Sequence, residues 1–360
     1  MPTQKQIRIA MDVTPLLRPG TGISRATGAL LSAMTKLSGE LELVGVGRRL
    51  MGPAVTLPVR SVRLRLPRSA EPWIRRLRLI ETLCPADLYH ATDFYLPLCD
   101  PSRAVATVHD LIFLTDPEGT IDHARLRQWA PDFIRRCRAV IAISEFTKHE
   151  VMSALGVPQE RIHVVYHGID GALFRPTTGA AKALGFHRPY FLAVSCSTGR
   201  KNTPRLLYAY AELAKQKPPR NDLVLAWDPP PEIRAEYAAN EHIHFIGRQG
   251  DDSLPALYSG ATALVLPSFQ EGFGFPVLEA MSCGAPVITS NTTSLPEVGG
   301  DAATYIEPSD TAGIVEALRA FDDGDVDVAA MRAKGLAQAA KFTWEKCARE
   351  TLAVYRRCLS

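Results

Sequence analysis

Short apolar runs alternate with stretches of helical periodicity through the second half of the chain. The apolar runs fall at 190–195, 222–227, 242–246, 262–266, 286–290 and 303–306. Runs of this length are typical of strands that are buried on both faces, and strands that alternate with helices form parallel sheets. The pattern therefore predicts a parallel sheet with helices on both faces. Helical periodicity at 309–321, 326–341 and 344–359 predicts that the chain ends in helices.

The first half of the chain shows the same alternation. Its predicted strands fall at 7–11, 41–46, 87–90, 103–110 and 138–143. A chain of 360 residues is too long for a single ordinary core, so we expect an α/β protein of two domains. A stretch from Gly171 to about Pro189, rich in Gly, Ala, Thr and Pro, is expected to link the two domains.

A strongly basic stretch interrupts this pattern between residues 60 and 78. It contains seven arginines and one acidic residue, Glu71, and apolar residues recur within it at helical spacing. A basic amphipathic segment can lie on an anionic membrane surface. A solvated face beside a core stripe is the alternative, and the sequence leaves both open.

Composition and charge exclude several classes of protein. Apolar residues make up 46% and charged residues 22%, which is typical of a globular protein, and a net charge of +3 argues against a nucleic-acid partner. The seven cysteines contain no C-x-x-C motif and are odd in number, which indicates free thiols in a reducing compartment. The start of the chain has no apolar signal region, and no apolar run approaches the roughly 18 residues of a membrane span. We expect a cytoplasmic location, with the inner face of the cell membrane as an open alternative.

The stretch from Glu271 to Met281 contains the main candidate site. Gly272 and Gly274 form a bend after a buried strand, Pro276 suits the first position of a helix, and Glu279 lies about one turn into that helix. A glycine turn between a strand and a helix binds anions such as phosphate, and ionised carboxylates accept hydrogen bonds from hydroxyl groups. Together these features indicate a nucleotide-sugar site. The alternative is a glycine-rich turn with two solvated glutamates.

A second unit of strand, loop and helix carries two cations. The predicted strand at 190–195 leads to Arg200 and Lys201, and Thr203 and Pro204 are expected to cap and open the next helix. Two cations at a helix N-terminus are suited to bind a diphosphate and to neutralise its charge, work that a divalent metal does in other proteins. An exposed basic loop is the alternative.

Two motifs that contain metal-ligand residues are interpreted as structural. Asp323, Asp325 and Asp327 lie between two helical patterns, where a solvated, helix-capping turn is expected. His242 and His244 share one face of a predicted strand and have no third ligand in view, so a metal site is not expected there.

The first domain also has candidate ligands at predicted strand ends. A glycine turn at residues 18–25, which includes Gly22, follows the first strand and precedes a helix. His109 and Asp110 follow an apolar strand, a position from which a side chain is expected to face a ligand rather than the core.

The segment from Glu271 to Glu279 resembles the E-x7-E motif of the retaining GT4 glycosyltransferases, a family with the GT-B fold that includes bacterial α-mannosyltransferases and sucrose synthases. The resemblance covers essentially the whole chain and is poor over residues 48–85. It implies two Rossmann-like domains that face a central cleft: an N-terminal acceptor-side domain at 1–172 and a nucleotide-sugar-binding domain at 173–343. The C-terminal helix, 344–360, is expected to cross back to the first domain.

The resemblance also implies a role for each candidate residue. Glu271 and His109 correspond to the family's groups at the transferred sugar, with the histidine near the sugar ring and its 6-hydroxyl. Glu279 corresponds to the ligand of the nucleotide ribose. The remaining donor-binding positions are Gly22, Arg200, Lys201, Phe273, Gly274 and Phe275.

The resemblance implies a retaining hexosyltransferase, and the two cations at residues 200 and 201 lead us to expect no bound metal and no cofactor. The expected donor is GDP-mannose and the expected acceptor is a glycan or lipid-linked glycan in the synthesis of cell-surface polysaccharide, such as lipopolysaccharide. A UDP-hexose donor and a catalytically silent nucleotide-sugar-binding relative are the alternatives. A GT-B epimerase is disfavoured because such enzymes lack the E-x7-E turn.

Overall fold

A computed structural model of the chain describes residues 6–17, 21–48, 57–65, 78–93, 99–115, 121–179, 185–194, 196–197 and 199–360. The chain divides into two compact units. Unit 1 comprises Met1–Gly168 and Thr343–Ser360, and unit 2 comprises Ile169–Phe342. The sequence placed the boundaries after residues 172 and 343, so the two descriptions differ by four residues at the first boundary and by one at the second.

Unit 1 contains a seven-stranded sheet with the strand order β3-β2-β1-β4-β5-β6-β7, and every strand pair in it is parallel. Its strands are β1 (Ile7–Asp12), β2 (Leu41–Arg48), β3 (Ser61–Leu64), β4 (Leu88–Ala91), β5 (Ala104–Val108), β6 (Ala139–Ala142) and β7 (Ile162–Val164). Because β4, β5 and β6 are buried along their whole length, they read as continuous apolar runs in the sequence.

The described helices of unit 1 lie between these strands and at the end of the chain. They are α1 (Gly22–Thr35), α2 (Leu79–Leu83), α3 (Ile112–Thr115), α4 (Ile121–Arg136), α5 (Glu145–Leu155) and the C-terminal α13 (Trp344–Leu359). Helix α13 belongs to unit 1, and its Tyr355 hydroxyl lies 2.6 Å from Nδ1 of His90 on β4. The predicted return of the last helix to the first unit is therefore observed.

Only part of the basic stretch lies within the described residues, and the helical spacing noted at its end continues into α2, which contains Ile80 and Leu83. Residues 61–64 form the edge strand β3, in which polar and apolar positions simply alternate, as is common at the edge of a sheet. Arg78 precedes α2 in a left-handed conformation (φ 48°) and forms an ion pair with Asp100 at 3.2 Å. The middle of the stretch, 66–77, lies outside the described residues.

Unit 2 contains a six-stranded parallel sheet with the order β10-β9-β8-β11-β12-β13. Its strands are β8 (Tyr190–Ala193), β9 (Asp222–Leu225), β10 (Ile243–Phe245), β11 (Ala263–Leu266), β12 (Val287–Ser290) and β13 (Ala303–Ile306). The sequence predicted all six to within two residues, and the largest differences are at β8 and β9, which each end two residues early. This is the strand order of the Rossmann fold.

The helices of unit 2 pack on this sheet. They are α6 (Thr203–Gln216), α7 (Pro231–Glu236), α8 (Leu254–Gly260), α9 (Phe275–Ser282), α10 (Leu295–Gly299), α11 (Thr311–Asp323) and α12 (Val328–Ala339). The buried faces of α6 and α11 form one apolar cluster with the central strands, including Leu207, Tyr210, Val265 and Leu318. This core fixes the loops at the carboxyl ends of β8 and β11.

Two further expectations can be checked across the chain. All seven cysteines are free, as their odd number and spacing predicted. Among the described residues, no helix is both long enough and apolar enough to span a bilayer.

Candidate active site

The turn between β11 and α9 has the conformation that its glycines indicated. Gly274 precedes the helix with φ +105°, and a Cβ on it would lie 2.9 Å from a methyl carbon of Leu295, so glycine is needed for both reasons. Helix α9 begins at Phe275, which places Pro276 at the second helical position rather than the first. Neither position has an intrahelical partner for its N–H group, so proline fits there equally well.

Ser294 lies in the loop after the neighbouring strand β12 and stabilises this turn through hydrogen bonds. Its hydroxyl oxygen lies 2.9 Å from the carbonyl oxygens of both Glu271 and Phe273, and the N–H of Glu271 lies 3.3 Å from Oγ1 of Thr293. Sequence reasoning missed this contribution. The stretch around Ser294 carried no chemical signal, because the contacts depend on β11 and β12 being neighbours.

Glu271, Lys201 and Arg200 form one cluster of charges, which we call the charge cluster. Lys201 Nζ lies 2.5 Å from Oε1 of Glu271, and Arg200 donates to Oε2 at 3.0 Å. Ser268 donates to Oε1 at 2.8 Å. The sequence predicted these residues singly but not their pairing. Two cations and one carboxylate leave the cluster with one net positive charge.

Burial and ion pairing act together on the titration of the charge cluster. Burial by itself raises the pKa of Glu271, but the charges of Lys201 and Arg200 and their hydrogen bonds outweigh it and lower the pKa. Burial lowers the pKa of Lys201, and Glu271 partly opposes that shift. We conclude that Glu271 is ionised and that Lys201 depends on it for a counter-charge.

The loop that carries the two cations is fixed by Asn202. Asn202 adopts a left-handed conformation (φ 56°), and its buried amide donates to the carbonyls of Pro267 and Pro308 at 3.1 and 2.7 Å. The prediction that Thr203 caps α6 is wrong, because Thr203 is the first helical residue. Its hydroxyl instead accepts a hydrogen bond from the N–H of Ser197 at 3.1 Å.

Glu279 lies on α9, where it is buried and receives a hydrogen bond from a second helix. The hydroxyl of Tyr258, on α8, donates to its Oε2 at 2.8 Å. Tyr258 was not a candidate in the sequence, because a tyrosine in an apolar helical pattern indicates core. Its ring is in fact fully buried, and its hydroxyl orients the carboxylate.

The charge cluster lies at the topological switch point of the unit 2 sheet. Arg200 and Lys201 follow β8, Glu271 follows β11, and these strands are neighbours where the strand order reverses. Ligands of open α/β sheets bind outside the carboxyl ends of the strands at this point. The turn at Phe273, Gly274 and Phe275 opens α9 at the same edge, where a helix N-terminus favours anions.

His109 follows β5 in unit 1, and its ring is buried, with 7% of its surface exposed. Its Nε2 lies 2.9 Å from the carbonyl oxygen of Thr92, and its Nδ1 lies 3.3 Å from Nε2 of His167. Both ring nitrogens therefore have partners within unit 1. The position at the strand end is as predicted, but the ring does not present an unbonded nitrogen.

Gly22 also belongs to unit 1, where it is the first residue of α1. Thr21 precedes it and caps the helix through a hydrogen bond from the N–H of Ser24 at 3.1 Å. No atom lies within 4 Å of a Cβ added at Gly22, so the described chain does not itself require glycine there. The residues before Thr21 in the predicted glycine turn, 18–20, lie outside the described residues.

The two motifs set aside as structural are held by hydrogen bonds. His242 and His244 both bond the carboxylate of Asp222, at 3.0 and 3.1 Å, and Arg188 bonds it at 2.9 Å. The sequence had missed Asp222 as a third group beside the histidines. Asp327 caps α12 through the N–H of Ala330, as predicted for this turn. No cluster suited to hold a metal ion occurs in the parts of the chain that the structure describes.

The fold and the charge cluster define a class of protein. Two Rossmann-like sheets in one chain, with cations and a buried glutamate at the second switch point, are the architecture of GT-B glycosyltransferases. The whole chain superposes on sucrose-phosphate synthase from Thermosynechococcus elongatus with a TM-score of 0.77 at 19% identity, covering 98% of this chain and 99% of the other. That similarity establishes the GT-B fold.

Sequence comparison then gives the family. Residues 21–173 match Glycosyltransferase Family 4 and residues 180–335 match Glycosyl transferases group 1. O-antigen chain mannosyltransferase B of Escherichia coli is 34% identical over 75% of this chain and 74% of its own length. The serotype-specific mannosyltransferase WbdA of Escherichia coli is 29% identical over 72% of this chain, which spans only 34% of WbdA. The chain therefore belongs to Glycosyltransferase Family 4 and is a glycosyltransferase.

Proposed function

We propose that the protein is a retaining mannosyltransferase that moves mannose from GDP-mannose to a hydroxyl of a glycan or lipid-linked glycan in the synthesis of cell-surface polysaccharide. The observation that carries the proposal is the charge cluster at the switch point of unit 2, where Lys201 and Arg200 face the buried Glu271. The choice of mannose is supported by the names of the relatives, several of which are mannosyltransferases.

In the proposed mechanism the donor diphosphate binds at the charge cluster. Its negative charge competes with Glu271 for Lys201 and Arg200, and the backbone N–H groups at Phe273, Gly274 and Phe275 add further donors. As the glycosyl–phosphate bond breaks, the two cations stabilise the charge that develops on the leaving group. Protein cations would thus do the work of a divalent metal, and no metal is required.

The two glutamates have separate roles in this proposal. Glu279, held by Tyr258, accepts hydrogen bonds from the ribose hydroxyls in the ground and transition states alike. Glu271 acts on the transferred sugar together with His109. The new bond forms on the same face of the anomeric carbon from which the phosphate departs. The proton of the acceptor hydroxyl passes to an oxygen of the leaving phosphate, so the configuration is retained.

The test is a transfer assay with a panel of GDP- and UDP-sugars, with the product linkage followed by NMR. We expect turnover with GDP-mannose, an α-linked product, and activity that survives EDTA. Turnover with UDP-hexoses alone would identify the alternative donor class. No turnover with any donor, combined with tight binding of a nucleoside diphosphate, would indicate a silent relative. Loss of activity in EDTA that Mn²⁺ restores would contradict the metal-independent mechanism.

We also propose that the basic stretch at 60–78 contacts anionic membrane, where the acceptor would be found. Only its ends are described: Arg60, Arg63 and Arg65 lie in or beside the edge strand β3, and Arg78 precedes α2. Each cation near an anionic surface contributes about 1 kcal/mol. Replacing Arg60 and Arg65 with glutamate should weaken sedimentation with anionic liposomes and leave nucleotide binding unchanged. Unchanged sedimentation would mean that this stretch is a solvated face.

A further inference from the structure

His109 is held on both sides by hydrogen-bond partners that fix which nitrogen carries its proton. The carbonyl oxygen of Thr92 can only accept, so the His109 Nε2 that lies 2.9 Å from it carries a hydrogen. In a neutral imidazole with that proton, Nδ1 is an acceptor. The group that faces Nδ1 is Nε2 of His167 at 3.3 Å, with the two ring centroids 5.3 Å apart.

We propose that His167 is a positioning residue for His109: its Nε2–H donates to Nδ1 of His109 and holds that ring as the neutral tautomer with its proton on Nε2. This proposal rests on the proposed role of His109 at the transferred sugar. Positive charge develops on the sugar during glycosyl transfer, so an imidazolium beside it would oppose the reaction. A neutral ring in a fixed orientation would not.

His167 is itself held firmly. It is buried, with 4% of its surface exposed, and its ring packs on that of Trp344 at a centroid distance of 5.4 Å. The following residue, Gly168, contacts the chain just before α13 so closely that a Cβ on it would lie 2.2 Å from the backbone nitrogen of Trp344. The donor to His109 is therefore anchored where the chain leaves unit 1 and where it returns.

The surroundings of His167 favour its uncharged form. Burial lowers the pKa of His167 well below its ordinary value. His90, on β4, also interacts with His109, and burial lowers its pKa to about 3. Two acidic residues lie next to the hydrogen-bonded groups in the chain. Asp93 follows Thr92, and Asp110 follows His109 and accepts a hydrogen bond from the N–H of Ile112 at 3.2 Å.

Nothing in the sequence around His167 indicated a role for this residue. Val165-Tyr166-His167-Gly168 reads as the end of the first domain, and a histidine there gives no indication of a partner 58 positions earlier. The pairing follows from the sheet order, because β5 and β7 flank β6 and their carboxyl ends lie at one edge.

The experiment compares His167→Leu, which removes the donor, with His167→Gln, whose amide N–H can replace it. The full-length protein is labelled with ¹⁵N-histidine, and the His109 signals are assigned by their loss in His109→Asn. We expect the unchanged protein to show a proton on Nε2 of His109 and none on Nδ1 at pH 7. His149→Leu, a change at an exposed histidine of α5, is the matched control and should alter nothing.

The kinetic expectation follows from the same hydrogen bond. His167→Leu should lower kcat by roughly 10- to 100-fold through misplacement of His109, with unchanged affinity for GDP. His167→Gln should retain most of the kcat of the unchanged protein, because its amide N–H can replace the donor.

A proton on Nδ1 of His109 in the unchanged protein would overturn the proposal, even if His167→Leu does not fold. A His109 spectrum and a kcat in His167→Leu identical to those of the unchanged protein would do the same. An altered His109 spectrum with normal turnover would support the positioning by His167 and overturn the proposed role of His109 in transfer.

Discussion

The two units have the same order of strands around the switch point, but the ionisation of the buried carboxyl group at that point differs between them. In unit 2 the strands at the switch are β8 and β11, and the buried Glu271 that follows β11 is ionised between Lys201 and Arg200. In unit 1 the corresponding strands are β1 and β4. Asp12, at the end of β1, is buried, and its Oδ2 has no hydrogen-bond partner among the described residues.

The difference appears in the pKa of the two carboxyl groups. Burial, with the charge of Asp93, raises the pKa of Asp12 to about 7 in spite of hydrogen bonds from Thr14, whereas the cations around Glu271 lower its pKa. The fold therefore determines where a site can form, and the loop residues determine whether that site is charged. Among the described residues, the loops at the switch point of unit 2 carry two cations and β1 of unit 1 ends in a buried acid, so we propose the diphosphate site in unit 2.

The largest expected effect comes from breaking the charge cluster at Glu271. Glu271→Ala should lower kcat by about 10²-fold or more, because it removes a group at the reacting end of the donor. It should not weaken the binding of free GDP, and it should tighten it, because Lys201 and Arg200 lose their counter-charge. Steady-state kinetics and calorimetry with GDP test both parts.

Glu271→Gln is the matched control for this variant, since it keeps the size of the side chain and removes the charge. It should be almost as damaging to kcat if the charge matters. Should Glu271→Ala weaken GDP as much as Glu279→Ala does, the division of roles between the two glutamates would be wrong.

The next effect comes from removing the buried cation. Lys201→Met should weaken GDP binding by about 1.5–3 kcal/mol, the value of a hydrogen bond to a charged group, and should leave guanosine binding unchanged. Lys215→Met, on the exposed face of α6, removes the same type of side chain and should have no effect. Equal weakening of GDP and guanosine, measured by calorimetry, would place Lys201 away from the phosphates.

Part of the fold and part of the candidate site could be predicted from the sequence. Most strands of both sheets were predictable because buried parallel strands are largely apolar, and β3 and β7 were missed because they are short edge strands that contain polar residues. Glu271 and Lys201 were found from their loops. Their pairing was not found, because it depends on β8 and β11 being adjacent in the sheet, and periodicity does not report strand order.

A smaller effect is expected from the support of Glu279. Tyr258→Phe removes one hydrogen bond of 2.8 Å to Oε2 and should weaken GDP binding by about 0.5–1.5 kcal/mol, less than Glu279→Ala. Tyr210→Phe is the matched control, because its hydroxyl bonds the carbonyl of Asn221 at 2.7 Å in the same unit. It should lower stability without changing the affinity for GDP. Equal affinities for GDP in Tyr258→Phe and the unchanged protein would remove Tyr258 from the site.

The smallest effect on ligand binding is expected at Asp12. Here the contrast between the two switch points is tested through the pH dependence of the free energy of unfolding. The pKa of about 7 in the folded protein lies above the ordinary value of 3.8, so the unfolded chain loses this proton first as pH rises. The folded state is therefore destabilised progressively between about pH 4 and pH 7, and the destabilisation is constant above that range.

Asp12→Asn, which resembles the protonated acid, should relieve this destabilisation. Its free energy of unfolding relative to the unchanged protein should increase by roughly 2–3 kcal/mol between pH 5 and pH 8, measured for the unfolding transition of unit 1. Asp100→Asn is the control of opposite sign, because hydrogen bonds from Ser102 lower the pKa of Asp100 and its contribution is lost as pH falls. A constant difference between Asp12→Asn and the unchanged protein over this range would mean that Asp12 is ionised in the folded state, and the contrast between the two switch points would disappear.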